Sequence, residues 1–344
     1  MRISAAYFLL GLIFTSIPSS FSIAQISWNI NTEGGFFNLN NDGSSKLHDL
    51  LFRIDGNLNY FYSDNGVSAS AKFKVRPEFY GLNNNFKSLK FKASGGYYKK
   101  EENINWGINL TGQKDFYQNN ITDFNYSVFL LAVNSDWYEL LECPISVQLG
   151  YAYQTASEKI EQNLDLLFLD IEIFKTLFPN NHSGLGFYIE RFTIDNKYLS
   201  KFTNSTSTNK GMRYGPQISF NYLENGIVNI EYRFLLHSSQ VTQYPSYEHW
   251  IRFIAGKIFS ERWSIFLLAD YYNRRFTLKE DHSVETFLIY NPLDNENKIN
   301  IKLAYEINDS FELYLKAGYF EENFFDLRFN FDGWNMLLGF EIRD

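Results

Sequence analysis

Apolar and polar residues alternate along most of this chain with a period of two, over stretches longer than a soluble sheet requires. Between Phe52 and Tyr62 the even positions read Phe52, Ile54, Gly56, Leu58, Tyr60 and Tyr62, while the odd ones begin Arg53, Asp55, Asn57 and Asn59. From Val67 to Tyr80 one side reads Val67, Ala69, Ala71, Phe73, Val75, Pro77 and Phe79. The other reads Ser68, Ser70, Lys72, Lys74, Arg76, Glu78 and Tyr80. Ser63-Asp64-Asn65-Gly66, between these two segments, has the composition of a tight hairpin turn. The rule returns at Leu89–Tyr97, Ile104–Leu110, Ile145–Tyr153, Val228–Leu236 and Ile299–Ile307. Soluble strands average about 5 to 6 residues, whereas a tilted strand needs about 9 to 11 to cross a bilayer, and the longest of these segments reach that length.

No apolar run after residue 24 approaches the ~18 residues of a spanning helix. In hydrocarbon every backbone N–H and C=O must be paired within the protein, so a sheet can span only by closing on itself. The predicted fold is therefore all-β, a transmembrane antiparallel up-and-down barrel with its apolar stripe toward lipid and its polar stripe inward. Seven short connections set the count: Ser63–Gly66, Lys100–Asn103, Asn134–Cys143, Phe178–Gly184, Glu224–Gly226, Phe259–Arg262 and Ile307–Ser310. They imply sixteen strands, with fourteen and eighteen as alternatives, because Val284–Tyr290 reads as an extra strand and Leu164–Leu177 as helix or strand. Longer polar stretches alternate with the turns, at Asn40–Asp49, Gly81–Lys87, Asp115–Thr122, Ala156–Asn163, Asn196–Gly211, Ser238–Ser246, Leu278–Asn297 and Glu321–Gly333. The rival is a secreted soluble β protein, which predicts shorter strands whose apolar faces meet each other.

The first residues assign a compartment. Arg2 precedes a nearly unbroken apolar stretch from Ala5 to Ile17, Pro18-Ser19-Ser20 breaks it, and Ser22 and Ala24 supply small residues before a cut. Residues 1–24 thus read as a cleaved secretory signal peptide, leaving 25–344 as a single barrel domain. Composition agrees with a folded chain: 45% of the 344 residues are hydrophobic and 19% aromatic, with 34 Phe and 24 Tyr. Tyr60, Tyr62, Tyr97, Tyr98, Tyr151, Tyr153 and Trp263 fall near strand ends, where aromatic girdles meet headgroups. One cysteine excludes a disulfide scaffold, one Cys with five scattered His gives no zinc ligand set, and a net charge of −8 offers no field for nucleic acid. No cofactor is expected.

Trp334, Met336, Leu338, Phe340 and Ile342 alternate to the end of the chain. With the preceding pattern, this makes residues 25–344 resemble bacterial outer-membrane β-barrels as a porin-like class, whose C-terminal strand is read by barrel-assembly machinery. No single family is distinguished. The class usually ends on an aromatic, whereas Arg343-Asp344 follow here. The resemblance implies export to the outer membrane of a Gram-negative envelope. It implies outer-membrane lipid, lipopolysaccharide and the assembly machinery as partners, with other outer-membrane proteins a further option and no nucleic acid.

The inward stripe carries the candidate chemistry. Lys72, Lys74 and Arg76 on one strand and Lys90 and Lys92 on the next form a basic wall, with Arg53, Asp55, Glu78, Glu231, Arg233, Asp270 and Arg274 as further expected lining residues. Rings or walls of Lys and Arg favour anionic permeants, so the first expectation is a channel for small hydrophilic solutes with a bias toward anions. The competing account is that these charges pair across strands. The alternative function is a non-catalytic accessory barrel whose lumen is closed, with Asn196–Gly211 and Leu278–Asn297 long enough to plug it. A barrel enzyme is the least supported class. His237-Ser238-Ser239 places His and Ser two apart on one strand face, but no Asn follows before Asn273. No catalytic residue is proposed.

Overall fold

The computed structural model describes residues 23–41, 44–81, 86–118, 125–138, 143–156, 162–196, 208–240, 245–276, 297–322 and 331–344. Their strands are β1 (Ile23–Asn41), β2 (Ser44–Asp64), β3 (Val67–Tyr80), β4 (Phe86–Lys100), β5 (Ile104–Gln118), β6 (Tyr126–Trp137), β7 (Ile145–Ala156) and β8 (Gln162–Lys175). They continue as β9 (Asn181–Asn196), β10 (Thr208–Leu223), β11 (Ile227–Ser239), β12 (Ser246–Ile258), β13 (Trp263–Phe276), β14 (Asn297–Asn308), β15 (Phe311–Glu322) and β16 (Phe331–Arg343). Each pairs with its chain neighbours, and β16 returns to β1, from Asn29↔Arg343 to Asn41↔Phe331, so the sheet closes as a sixteen-strand antiparallel barrel. A closed sheet has no edge, which is what hydrocarbon demands. The sandwich alternative falls with that closure.

The alternation sorts residues between the two faces as expected. Leu58, Phe73, Ile108, Leu149, Ile218, Ile301, Leu315 and Leu338 are all exposed on the outer surface. The inner surface carries Glu33, Asp55, Glu78, Glu190, Arg213 and Glu248, all buried against neighbouring side chains of the wall. Outward aromatics gather at the turn end: Trp28, Trp137 and Trp263 are exposed there, Tyr97 packs on Trp106 at 5.6 Å between ring centroids, and Trp263 on Tyr305 at 4.9 Å. An amphipathic ring at this level matches an interface between hydrocarbon and headgroups. Tyr98 departs from the girdle expected of it. It lies on the other side of the wall from Tyr97, because consecutive residues of a strand face opposite ways.

Several strands run beyond their expected ends. Asn40–Asp49 reads as a loop, yet β1 and β2 continue their pairing to Asn41↔Ser44, with an irregularity between Leu39 and Asn41. Polar residues are compatible with strand there because the ladder pairs backbone groups, whatever side chains they carry. Leu164–Leu177, ambiguous by periodicity, is strand from Gln162 to Lys175. Val284–Tyr290 lies outside the described residues, as does residue range 1–22.

The β2–β3 connection shows how the sequence makes its turns. Asn65 and Gly66 have φ of 46° and 79°, both in the left-handed region, as a two-residue turn with the twist of its flanking strands requires. A Cβ on Gly66 would stand 3.0 Å from the Lys100 carbonyl oxygen. Gly66→Ala is expected to cost about 1–2 kcal/mol, read as a lower urea midpoint for the folded barrel.

A second device recurs on the inner face. Gly107, Gly150, Gly211, Gly256, Gly333 and Gly339 each sit directly opposite an aromatic of the neighbouring strand, namely Tyr98, Phe168, Phe192, Phe266, Phe320 and Tyr314. In every case the ring lies across the glycine, in the space a Cβ would fill. The rings thus lean along the wall.

Candidate functional site

The lumen wall is built as ion-paired rows across adjacent strands. On β1 to β3, Glu33 accepts from Arg53 and from the Tyr314 hydroxyl at 2.9 Å, with the Lys316 ammonium at 3.6 Å. Tyr314, Gly339 and Glu33 occupy one row over β15, β16 and β1, and the bare glycine lets the Tyr314 ring cross a whole strand to reach its carboxylate partner. Asp55 holds Lys74 at 2.9 Å and Arg76 through Nη2 at 2.9 Å. Glu78 binds Lys90 at 2.9 Å and accepts from Ser88 at 2.7 Å and Tyr80 at 2.9 Å.

These carboxylates explain how the basic wall is tolerated. Lys74 faces Lys92 directly, and Arg76 faces Lys90, which are repulsive pairs unless neutralised. Asp55 and Glu78 interleave between them, so Lys74, Arg76 and Lys90 are paired. Lys72 and Lys92 stay exposed, with no carboxylate in ion-pair reach among the described residues. Cross-strand pairing, the competing account, thus holds for Lys74, Arg76 and Lys90 and does not extend to Lys72 and Lys92.

Beside this patch lies a cavity of about 300 Å³. Lys74, Arg76, Lys302 and Lys316 contribute four cations to its lining, against Glu33 and Asp55, with Phe266 and Leu268 of β13 as its apolar side. Lys302 is held by Glu312 at 2.6 Å and stands 4.3 Å from the centre of the Tyr314 ring. Lys302 and Lys316 are direct cross-strand partners, again like charges in register.

The opposite wall is drier. Glu248, fully buried, meets Arg213 at 2.7 Å, Arg274 at 2.8 Å and His237 Nδ1 at 2.6 Å, and Arg213 also reaches Glu190 at 3.1 Å. Phe192, whose ring centre is 5.2 Å from that of His237, joins this cluster to inward apolar residues Ala152, Leu164, Leu166 and Ile194. Nearer the turns, Arg233 binds Asp170 at 3.0 Å and Glu231 at 2.7 Å and lies over the Tyr188 and Trp250 rings. Trp250 donates to Asp270 at 2.8 Å, with Arg252 at 3.6 Å from the same carboxylate.

All twelve residues expected to line the lumen lie on inward-facing positions, yet in two separate settings. Arg53, Asp55, Lys72, Lys74, Arg76, Glu78, Lys90 and Lys92 share the β2–β4 wall, whereas Glu231, Arg233, Asp270 and Arg274 belong to β11 and β13. The Arg274 side chain is only 3% exposed, because it is locked onto Glu248 rather than offered to water. His237 is likewise committed to Glu248, and Asn273 falls on the outer face by alternation, so no His–Ser–Asn arrangement forms there. Sequence reasoning missed Glu33, Tyr314, Lys316, Phe266 and Leu268. Alternation alone puts Lys316 and Tyr314 inward, but only the closure of β16 on β1 brings them to Glu33. Among the described residues no cluster of His, Cys, Asp and Glu could hold a metal ion.

No family model matches the chain, and no curated protein matches it in sequence. Solved structures of similar architecture include a variant of OccD1 (OprD), at 8% identity and a TM-score of 0.44 over 93% of this chain and 96% of that one. OccAB2 of Acinetobacter baumannii gives 7% and 0.42 over 93% and 98%, and a bacterial polysaccharide outer membrane secretin gives 9% and 0.43 over the same shares. Likeness at this level assigns neither family nor function, and the fold stands on its own closed pairing.

Proposed function

We propose that this protein is an outer-membrane channel for small hydrophilic solutes, with a bias toward anions beside Lys74, Lys302 and Lys316. The reading has residues 1–24 removed on export and the apolar outer face seated in the outer membrane. The observation that carries it is the cavity on the lumen side of a closed barrel, where four cations face two carboxylates. A wet passage with a local cation excess concentrates anions. In planar bilayers the purified barrel is expected to conduct KCl with a chloride preference. Changing Lys74, Lys302 and Lys316 together to Gln is expected to lower the chloride-to-potassium permeability ratio at least two-fold. An unchanged ratio removes the anion bias.

Absence of any conductance removes the channel itself and leaves the second reading, an accessory barrel of an outer-membrane assembly. That reading draws on the opposite wall, where Arg213, Glu248, Leu235 and Phe192 are shut away from water. A stoichiometric partner retained in mild detergent would favour it.

A further inference from the structure

We infer that the cavity between β13 and β3 is a binding site for a small organic anion that carries an apolar body beside its charged head. The inference builds on the channel reading and narrows it from hydrophilic solutes in general to one chemical class. Its basis is the two-sided lining. Lys74, Lys302 and Lys316 have side chains 30%, 28% and 26% exposed, so three ammonium groups border the space without being sealed from it. Lys316 is the least committed of the three: its carboxylate partner stands at 3.6 Å and is already engaged by Arg53 and Tyr314.

The other side breaks the alternation rule. Phe266 and Leu268 put apolar groups on the inner face, as Leu164, Leu166, Phe192 and Ile194 do on the opposite wall, but where that cluster is buried Phe266 remains 39% exposed although its ring lies across Gly256. An inward ring covering a glycine explains one face of Phe266. Its open face looks onto the same cavity as the ammonium groups. An inorganic anion would use only the cationic side and leave that apolar surface wet. A neutral apolar molecule would leave the cation excess without a counter-charge. A molecule with an anionic head and a compact ring or branched chain satisfies both sides, removing apolar surface from water while the ammonium groups hold the head.

Benzenesulfonate, ionised throughout the usable pH range, is the probe. Methanesulfonate keeps the head without the ring, and benzenesulfonamide keeps the ring without the charge. Calorimetric titration of the full barrel in detergent is expected to show benzenesulfonate binding at least ten-fold more tightly than either control. Phe266→Ala should bring it down to the level of methanesulfonate, and Lys316→Gln to that of benzenesulfonamide. Leu268→Asn replaces the first variant if Phe266→Ala fails to fold. Equal binding of benzenesulfonate and methanesulfonate, or no loss in the apolar variants, overturns the site. The two readings separate cleanly in bilayers. A conducting barrel without the ring preference keeps the channel and loses the site, and a non-conducting barrel with that preference keeps the site and loses the channel.

Discussion

Replacing Glu248 by Ala is expected to destabilise the barrel by about 3–5 kcal/mol, the usual result of removing one member of a buried charge cluster. The carboxylate is fully buried, accepts Arg213 on one oxygen and meets His237 Nδ1 with the other, which also stands 2.8 Å from Arg274 Nε as an ion pair. Without it, two guanidinium groups remain in a dry wall beside Phe192, and Glu190 alone cannot reach Arg274's position across three strands to replace it. The cost arises from leaving buried guanidinium charge with less compensation more than from the lost attraction. Glu248→Gln, which keeps the volume and one acceptor, should fall between the variant and the native protein. The measurement is the urea midpoint in vesicles, with the temperature of heat-modifiable gel migration as a second readout. A loss below about 1 kcal/mol would mean that water reaches the cluster and that this wall is wetter than its burial indicates.

Ile301→Arg is the second large effect, and it tests which side of the wall meets lipid. Ile301 is 45% exposed on the outer face near the middle of β14, between Leu267 and Ala317. An arginine at the midplane of a lipid face costs about 2–4 kcal/mol. Asn300→Arg, one residue away and pointing inward, should cost less than about 1 kcal/mol because its guanidinium reaches a polar lumen. Folding yield and urea midpoint in lipid vesicles give the comparison. Equal costs for the two would contradict a lipid-facing outer surface.

The legible part of this molecule was its asymmetry of surroundings. Where one face meets hydrocarbon and the other polar groups, residues such as Phe73 and Lys74 record the difference one position apart, and the strand count follows from the turns between such runs. β8 was ambiguous for the converse reason. Its inward residues Leu164, Leu166 and Phe168 join an apolar cluster, so with Leu167 and Leu169 on the outer face the run from Leu166 to Leu169 is greasy on both sides and no period survives. Strand ends were misjudged where polar residues stay in the ladder, as at Asn40–Asp49. The ion pairs were out of reach for another reason. Whether Asp55 neutralises Lys74 and Arg76 depends on register, and whether Tyr314 reaches Glu33 depends on the meeting of the first and last strands. A one-residue slip in either would send those side chains to the opposite face. The apolar side of the cavity was discernible in principle, since Phe266 and Leu268 sit on the same stripe as Asp270 and Arg274, but nothing in a single strand says that ammonium groups stand nearby.

The six glycines overlaid by rings carry an implication for how this sequence can drift. At each of these rows the two positions form one heritable unit: enlarging the glycine evicts its neighbour's ring toward the bore, and shrinking the ring leaves a dent. Divergent descendants should therefore swap partners in tandem or change neither, so that the calibre of the barrel is inherited through paired substitutions more than through any one conserved residue.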